Sequence, residues 1–132
     1  MKRFVDTNIF IYELFPIDKN KYKNCLSLFE LAAKGKIQLW TTEWVISELI
    51  WFLRRRKISV FQCKETVFKV LATRGLEVRN KGWILEVLDI WQNPLSFTDT
   101  IHTVSIKQEG VKTGYSYDKD LDKIGGFNRL EP

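Results

Sequence analysis

The chain predicts an α/β fold, with a central, mostly parallel sheet of four or five strands and helices on both faces. Three observations carry this. Short apolar or β-branched runs alternate with longer stretches of helical spacing from one end to the other. Most of the helical stretches open on Ser, Thr, Asp or Asn, and Gly35, Gly75 and Gly110 close three of them. No repeat, linker or low-complexity segment interrupts the 132 residues. That length buries a real core, so one domain over 1–132 is expected.

Lys2 to Val5 is short and apolar-basic and predicts a buried strand. Ile9 to Phe15 reads as a short helix stopped by Pro16. Asp18 caps a helix over 19–34, with Tyr22, Cys25, Leu28, Phe29 and Ala32 at helical spacing and Gly35 as its stop. Ile37 to Trp40 is the second strand. Thr41 or Thr42 caps a helix that runs to Arg56. Ser59, with Gln62 three residues on, opens another in capping-box fashion, and Gly75 ends it. Leu76 to Val78 is a third, weaker strand. Asn80 caps a helix over 81–92 that Asn93-Pro94 terminates. Ser96 starts the next, and Gly110 closes it. Thr113 to Tyr117 is a strand, and Asp118 to Ile124 a turn with a helical piece. Gly125-Gly126 breaks the chain before a last short strand, Phe127 to Leu130.

The formal net charge is +5 and the pI about 9.2. That balance favours anionic partners, nucleic acid being the commonest, without deciding the matter. Cys25, Cys63 and the lone His102 have no metal-type spacing, and a zinc site needs three or four such ligands. Free buried thiols in a reducing cytosol are expected. Asp6 and Glu13 interrupt the apolar stretch that a signal peptide would need. No run approaches the roughly 20 apolar residues of a membrane span. A soluble, cytoplasmic protein with no membrane partner is the expectation. Of Trp40, Trp44, Trp51, Trp83 and Trp91, most are expected in the core and one or two on an interface.

In an open parallel sheet, ligands bind outside the carboxyl ends of the strands. Asp6 follows the first strand, and Asp118 follows a later one. Asp99, in S-F-T-D, falls in the first turn of a helix capped by Ser96, where a carboxylate suits the positive helix end. Glu48 lies within a helix that is apolar almost all round, on one face with Trp44 and Phe52. An acid so placed needs a partner or a cation. Each acid also has a plain structural role open to it. Asp6 and Asp99 can serve as caps, Glu48 can share a polar strip with Glu43 and Ser47, and the acids at 118–122 can be turn residues. Together they point to one rim of the sheet. Converging carboxylates repel unless a cation holds them, and oxygen-only ligands select Mg²⁺ or Mn²⁺. Such an ion can drive attack of water on a phosphodiester. Asp6 would then be a ligand, with Thr7 and Asn8 orienting it or touching substrate. The D-x-D-x-D run at 118–122 is not an EF-hand, since Lys123 and Arg129 stand where Gly and Glu are required.

V-D-T-N at 5–8, the acid of S-E-L at 47–49, S-F-T-D at 96–99 and S-Y-D-K-D-L-D-K-I at 116–124 resemble the four acidic motifs of PIN domains. The resemblance runs essentially end to end, in motif order and length. Small single-domain PIN proteins of this kind resemble VapC-type toxins of bacterial and archaeal toxin–antitoxin pairs. The resemblance implies a Mg²⁺- or Mn²⁺-dependent endoribonuclease acting on RNA, usually a homodimer, inhibited by a small antitoxin protein. Carried over, Asp6, Glu48, Asp99 and Asp118 are the catalytic acids, and Asp6, Asp99 and Asp118 the metal ligands. Asp120 shares or takes the role of Asp118, or lies on the substrate side with Thr7, Asn8, Arg54 and Arg55. The sequence departs from the family at Thr100-Ile101-His102-Thr103, where small residues such as alanine commonly follow the third acid. Arg54-Arg55-Arg56-Lys57 either tracks an RNA backbone or is a solvated helix end. Two other readings compete: a non-catalytic nucleic-acid-binding PIN module, and a phosphatase with Asp6 as nucleophile.

Overall fold

The short strands are separated by long helical stretches, and pairs of helices make the crossovers between the first three. A computed structural model describes all residues, 1–132. Two compact units make up the chain, Met1–Ile84 and Leu85–Pro132. Every strand pairing in both is parallel.

In the first unit, β1 (Lys2–Phe4), β2 (Gln38–Thr41) and β3 (Leu76–Val78) lie side by side in that order. Arg3 stands opposite Leu39, and Trp40 opposite Glu77. Parallel neighbours cannot be joined by a tight turn. Helices α1 (Thr7–Leu14) and α2 (Lys19–Ala33) therefore make the first crossover, and α3 (Glu43–Arg55) and α4 (Val60–Leu71) the second. Helix α1 packs on α2 and on α3, and α3 packs on α4. The seam is one stripe of α3: Val45, Ile46, Leu49, Ile50 and Leu53 are all buried. Just past β1, the Thr41 hydroxyl donates to the Val5 carbonyl at 2.8 Å, deep in the core. Gly75 adopts φ 81°, and a Cβ there would collide with the Ala32 carbonyl, so only glycine fits the turn into β3.

Helix α5 (Lys81–Ile90) runs from the first unit into the second. The second unit continues with α6 (Phe97–Glu109), β4 (Thr113–Tyr115), a 3₁₀ turn (Lys119–Lys123) and β5 (Asn128–Leu130). β4 and β5 pair as a two-stranded parallel ribbon. Val87, Leu88, Trp91, Val104 and Ile124 are buried here. The Trp91 ring meets Phe97 edge-on at 5.2 Å, and its indole N–H donates to the Leu95 carbonyl at 3.1 Å. The Arg129 guanidinium ties the 3₁₀ turn to β5, donating to Asp122, to Glu131 and to the Ser116 carbonyl.

The α/β class and parallel pairing match expectation, and the five strands divide as three and two. β1 itself differs: Lys2, Arg3 and Phe4 are all exposed, and burial begins only at Val5. As the edge of its sheet, β1 pairs with β2 alone. Asn80 does not cap α5 with its side chain. Its backbone is left-handed (φ 56°), and its amide donates to Glu43 at 2.9 Å. Of the tryptophans only Trp91 is fully buried, while Trp44 and Trp51 are exposed. Cys25 and Cys63 are buried free thiols, and burial raises both above the usual thiol range, Glu13 adding to the effect at Cys25.

Candidate functional site

Asp6 stands just past the carboxyl end of β1 and is the N-cap of α1. Its backbone is extended, and its Oδ1 accepts from the Thr7 N–H at 2.8 Å. The cap occupies one oxygen of an exposed side chain and leaves the other for a ligand. Thr7 is buried, and its hydroxyl donates to Glu48 Oε2 at 2.8 Å, a bond across 41 residues of sequence. This is the partner that an acid on α3 requires. Glu48 is exposed, however, because α3 is not apolar all round in space. Its outer face carries Trp44, Glu48 and Trp51. Glu43, the other acid of α3, is engaged elsewhere. Arg79 donates to it from Nε at 2.8 Å and from Nη2 at 3.1 Å, and Asn80 adds a third bond. These contacts hold the Glu43 carboxyl below its usual range, the Arg79 bonds contributing most.

Asp6, Thr7, Asn8 and Glu48 line a groove of about 660 Å³. Trp51, Phe52, Arg55 and Arg56 line it as well. Arg54 does not, since its Nη1 donates to the Ile58 carbonyl at 2.7 Å beyond the end of α3. Phe52 was not expected at the site from sequence, Arg56 entered only as part of the basic run, and Trp51 only as one of five tryptophans with a place in the core or on an interface. The signal was there: Glu48, Trp51, Phe52 and Arg55 follow at i, i+3, i+4 and i+7, one stripe of a helix.

The second unit brings together another set of acids. Asp99 sits in the first turn of α6, its N–H donating to Ser96 Oγ at 3.0 Å. Asp118 caps the 3₁₀ turn by accepting from the Asp120 N–H at 2.9 Å, and its own N–H donates to Ser116 Oγ. One carboxylate oxygen from each of Asp99, Asp118 and Asp120 falls within 4.8 Å of the others. Asp99 is half-buried, and the two loop acids are exposed. Both Asp118 and Asp120 thus stand with Asp99. Asp122 does not join them, because Arg129 holds it at 2.8 Å and keeps its carboxyl below the usual range. Lys123, 3.2 Å from Asp120, offsets part of the charge. His102 is an exposed residue of α6.

Three carboxylates this close repel one another, and a cation relieves the repulsion. An all-oxygen set with two exposed members suits a hard ion that keeps some of its waters, as Mg²⁺ and Mn²⁺ do. The donor set therefore fits such an ion.

An α/β fold with parallel strands and carboxylates after its strands defines the class. The PIN-domain family model matches residues 3–126, and the chain belongs to the PIN-domain family. PIN-domain nucleases generally use divalent metals. Among solved structures, the Mycobacterium tuberculosis toxin VapC20, described as cleaving the sarcin–ricin loop, is 17% identical over the whole of both chains, with a TM-score of 0.40. A chain of the Rickettsia felis VapBC2 assembly, bound to a DNA fragment from its promoter, is 16% identical. That match covers 99% of this chain and 98% of the other, with a TM-score of 0.41. No curated protein matches the chain. No helix is long and apolar enough to cross a membrane.

Proposed function

We propose that this protein is a Mg²⁺- or Mn²⁺-dependent endoribonuclease, a cytoplasmic VapC-type toxin that works as a homodimer under the control of an antitoxin protein. The observation that carries the nuclease reading is the Asp99–Asp118–Asp120 cluster, within 4.8 Å, in a chain that matches the PIN domain over 3–126. The toxin assignment rests on the order and spacing of the acidic motifs, which resemble those of VapC-type toxins. Residues 1–132 act as one PIN domain, with Asp6, Glu48, Asp99 and Asp118 as its catalytic acids.

Asp6, Asp99 and Asp118 are the metal ligands in this reading. A divalent ion held by them would supply charge stabilisation for the phosphodiester oxygens. Asp120 shares the load of Asp118, and its pairing with Lys123 limits how much negative charge the cluster presents. Thr7 fixes one oxygen of Glu48 and leaves the second to take a proton from the attacking water. Asn8 and Arg55 meet the RNA along the groove, whereas Arg54, expected to do the same, is held by the Ile58 carbonyl outside it. A non-catalytic module on this fold could dispense with one of the acids, and all are present.

The test is cleavage of a structured RNA pool by protein freed of copurifying partners, in Mg²⁺, Mn²⁺ or EDTA. Cuts should appear with metal, vanish in EDTA, and fall by at least ~100-fold in Asp6→Asn and Asp99→Asn, the scale of losing a catalytic group. Equal cutting by wild type and both variants would refute the assignment.

A further inference from the structure

The groove beside Asp6 and Glu48 carries a surface that the proposed chemistry does not use. Trp51 is 62% exposed although it lies one helical turn from Glu48. The Arg55 guanidinium carbon lies 4.5 Å from the centre of the Trp51 ring. Arg56 sits 4.6 Å from the centre of Phe52 and 5.9 Å from that of Phe15. The groove is therefore lined by Trp51 and Phe52, each with an arginine over its ring, beside Asp6 and Glu48. The helix rises about 10 Å between Glu48 and Arg55, at ~1.5 Å per residue. The aromatic surface is next to the acids rather than among them.

A flat, exposed indole steadied by a cation suits a flat π-ligand, and guanidinium edges suit phosphate. A nucleotide offers both in one unit. The charge also agrees: Arg54 to Lys57 form the strongest basic run in a chain of net charge +5. A paired base hides its faces in the helical stack, whereas an unpaired base exposes them.

We propose that Trp51, backed by Arg55 over one ring face, offers its other face as a stacking platform for an unpaired RNA base close to the scissile phosphate. The inference rests on the nuclease reading for its choice of RNA as the ligand.

The test is binding in EDTA, followed by fluorescence anisotropy. Three labelled probes serve: a randomised single-stranded RNA, a duplex of the same length, and a ribose–phosphate oligomer without bases. Trp51→Ala should weaken the single strand by about tenfold, within the range of one lost stacking contact. It should leave the base-free oligomer unchanged, Trp51→Phe should retain most of the affinity, and the duplex should bind wild type no better than the base-free oligomer. Equal losses on both single-stranded probes, no loss on either, or a preference for duplex would overturn the proposal. So would a wild type that binds none of the probes, which would leave the groove to a protein segment. Cleavage is scored separately. A Trp51-dependent base effect without metal-dependent cleavage would remove the nuclease reading and keep the platform. Metal-dependent cleavage without the base effect would do the reverse.

Discussion

The Thr7 hydroxyl is the smallest part of this site and the one that joins two elements, through its 2.8 Å bond to Glu48. Replacing it with the near-isosteric valine, Thr7→Val, should cost about 1 kcal/mol in urea unfolding, the usual worth of one such bond. It should cost more in cleavage than in stability, because Glu48 loses its orientation. Glu13 offers a test of the opposite kind. Burial raises its pKa, so the folded state favours the protonated form. The charged form therefore costs stability above the folded pKa, and that cost disappears as pH falls below the ordinary value of 4.5. Glu13→Gln should raise the melting temperature at pH 7 and give no gain in acid; a gain that persists in acid would show another cause. Asp6 and Asp99 were legible as candidates because each follows a strand or opens a helix. The Thr7–Glu48 bond was not, since its partners lie 41 residues apart. Nor was the engagement of Glu43 by Arg79, 36 residues away.

Helix starts were the most legible elements, because a cap is a local device. Asp18, Thr42, Ser59 and Ser96 each accept from the backbone N–H three residues on. Asn80 shows the limit: its side chain has a long-range partner in Glu43, and no local pattern reports that. Ser96 also orders the turn that bears Asp99. Ser96→Ala should lower stability by about 1 kcal/mol, as cap losses do. Thermal melts would measure this, and an unchanged melt would mean the cap is not needed to hold the turn. The strands were less legible. β1, β3, β4 and β5 are three residues each, too short to show an alternating pattern. The strand expected to be buried at Lys2 to Val5 is exposed from Lys2 to Phe4 because it is the edge of its sheet, paired with β2 alone. In α3 the apolar run hid two faces, one buried from Val45 to Leu53 and one exposed at Trp44 and Trp51. Helical spacing separates the faces without saying which one the core takes.

For the molecule as a whole, the net charge of +5 gains meaning only once the arginines of α3 have a place. Arg55 and Arg56 border the groove, whereas Arg54 turns back to the chain. Binding of single-stranded RNA should weaken with salt, and Arg55→Ala should reduce the log–log slope by ~0.7 if Arg55 contacts one phosphate. The α/β class and the ordered acids are legible in the residues alone, and the family match over 3–126 agrees with them. The whole functional account turns on the acids holding a metal ion. The most direct measurement is calorimetric titration of Mn²⁺ into wild type, Asp99→Asn, Asp118→Asn and Asp122→Asn. The account predicts saturable binding by wild type and by Asp122→Asn, whose native carboxylate is paired with Arg129, and loss of binding in the other two. No binding by wild type, or binding unchanged in Asp99→Asn and Asp118→Asn, would contradict it.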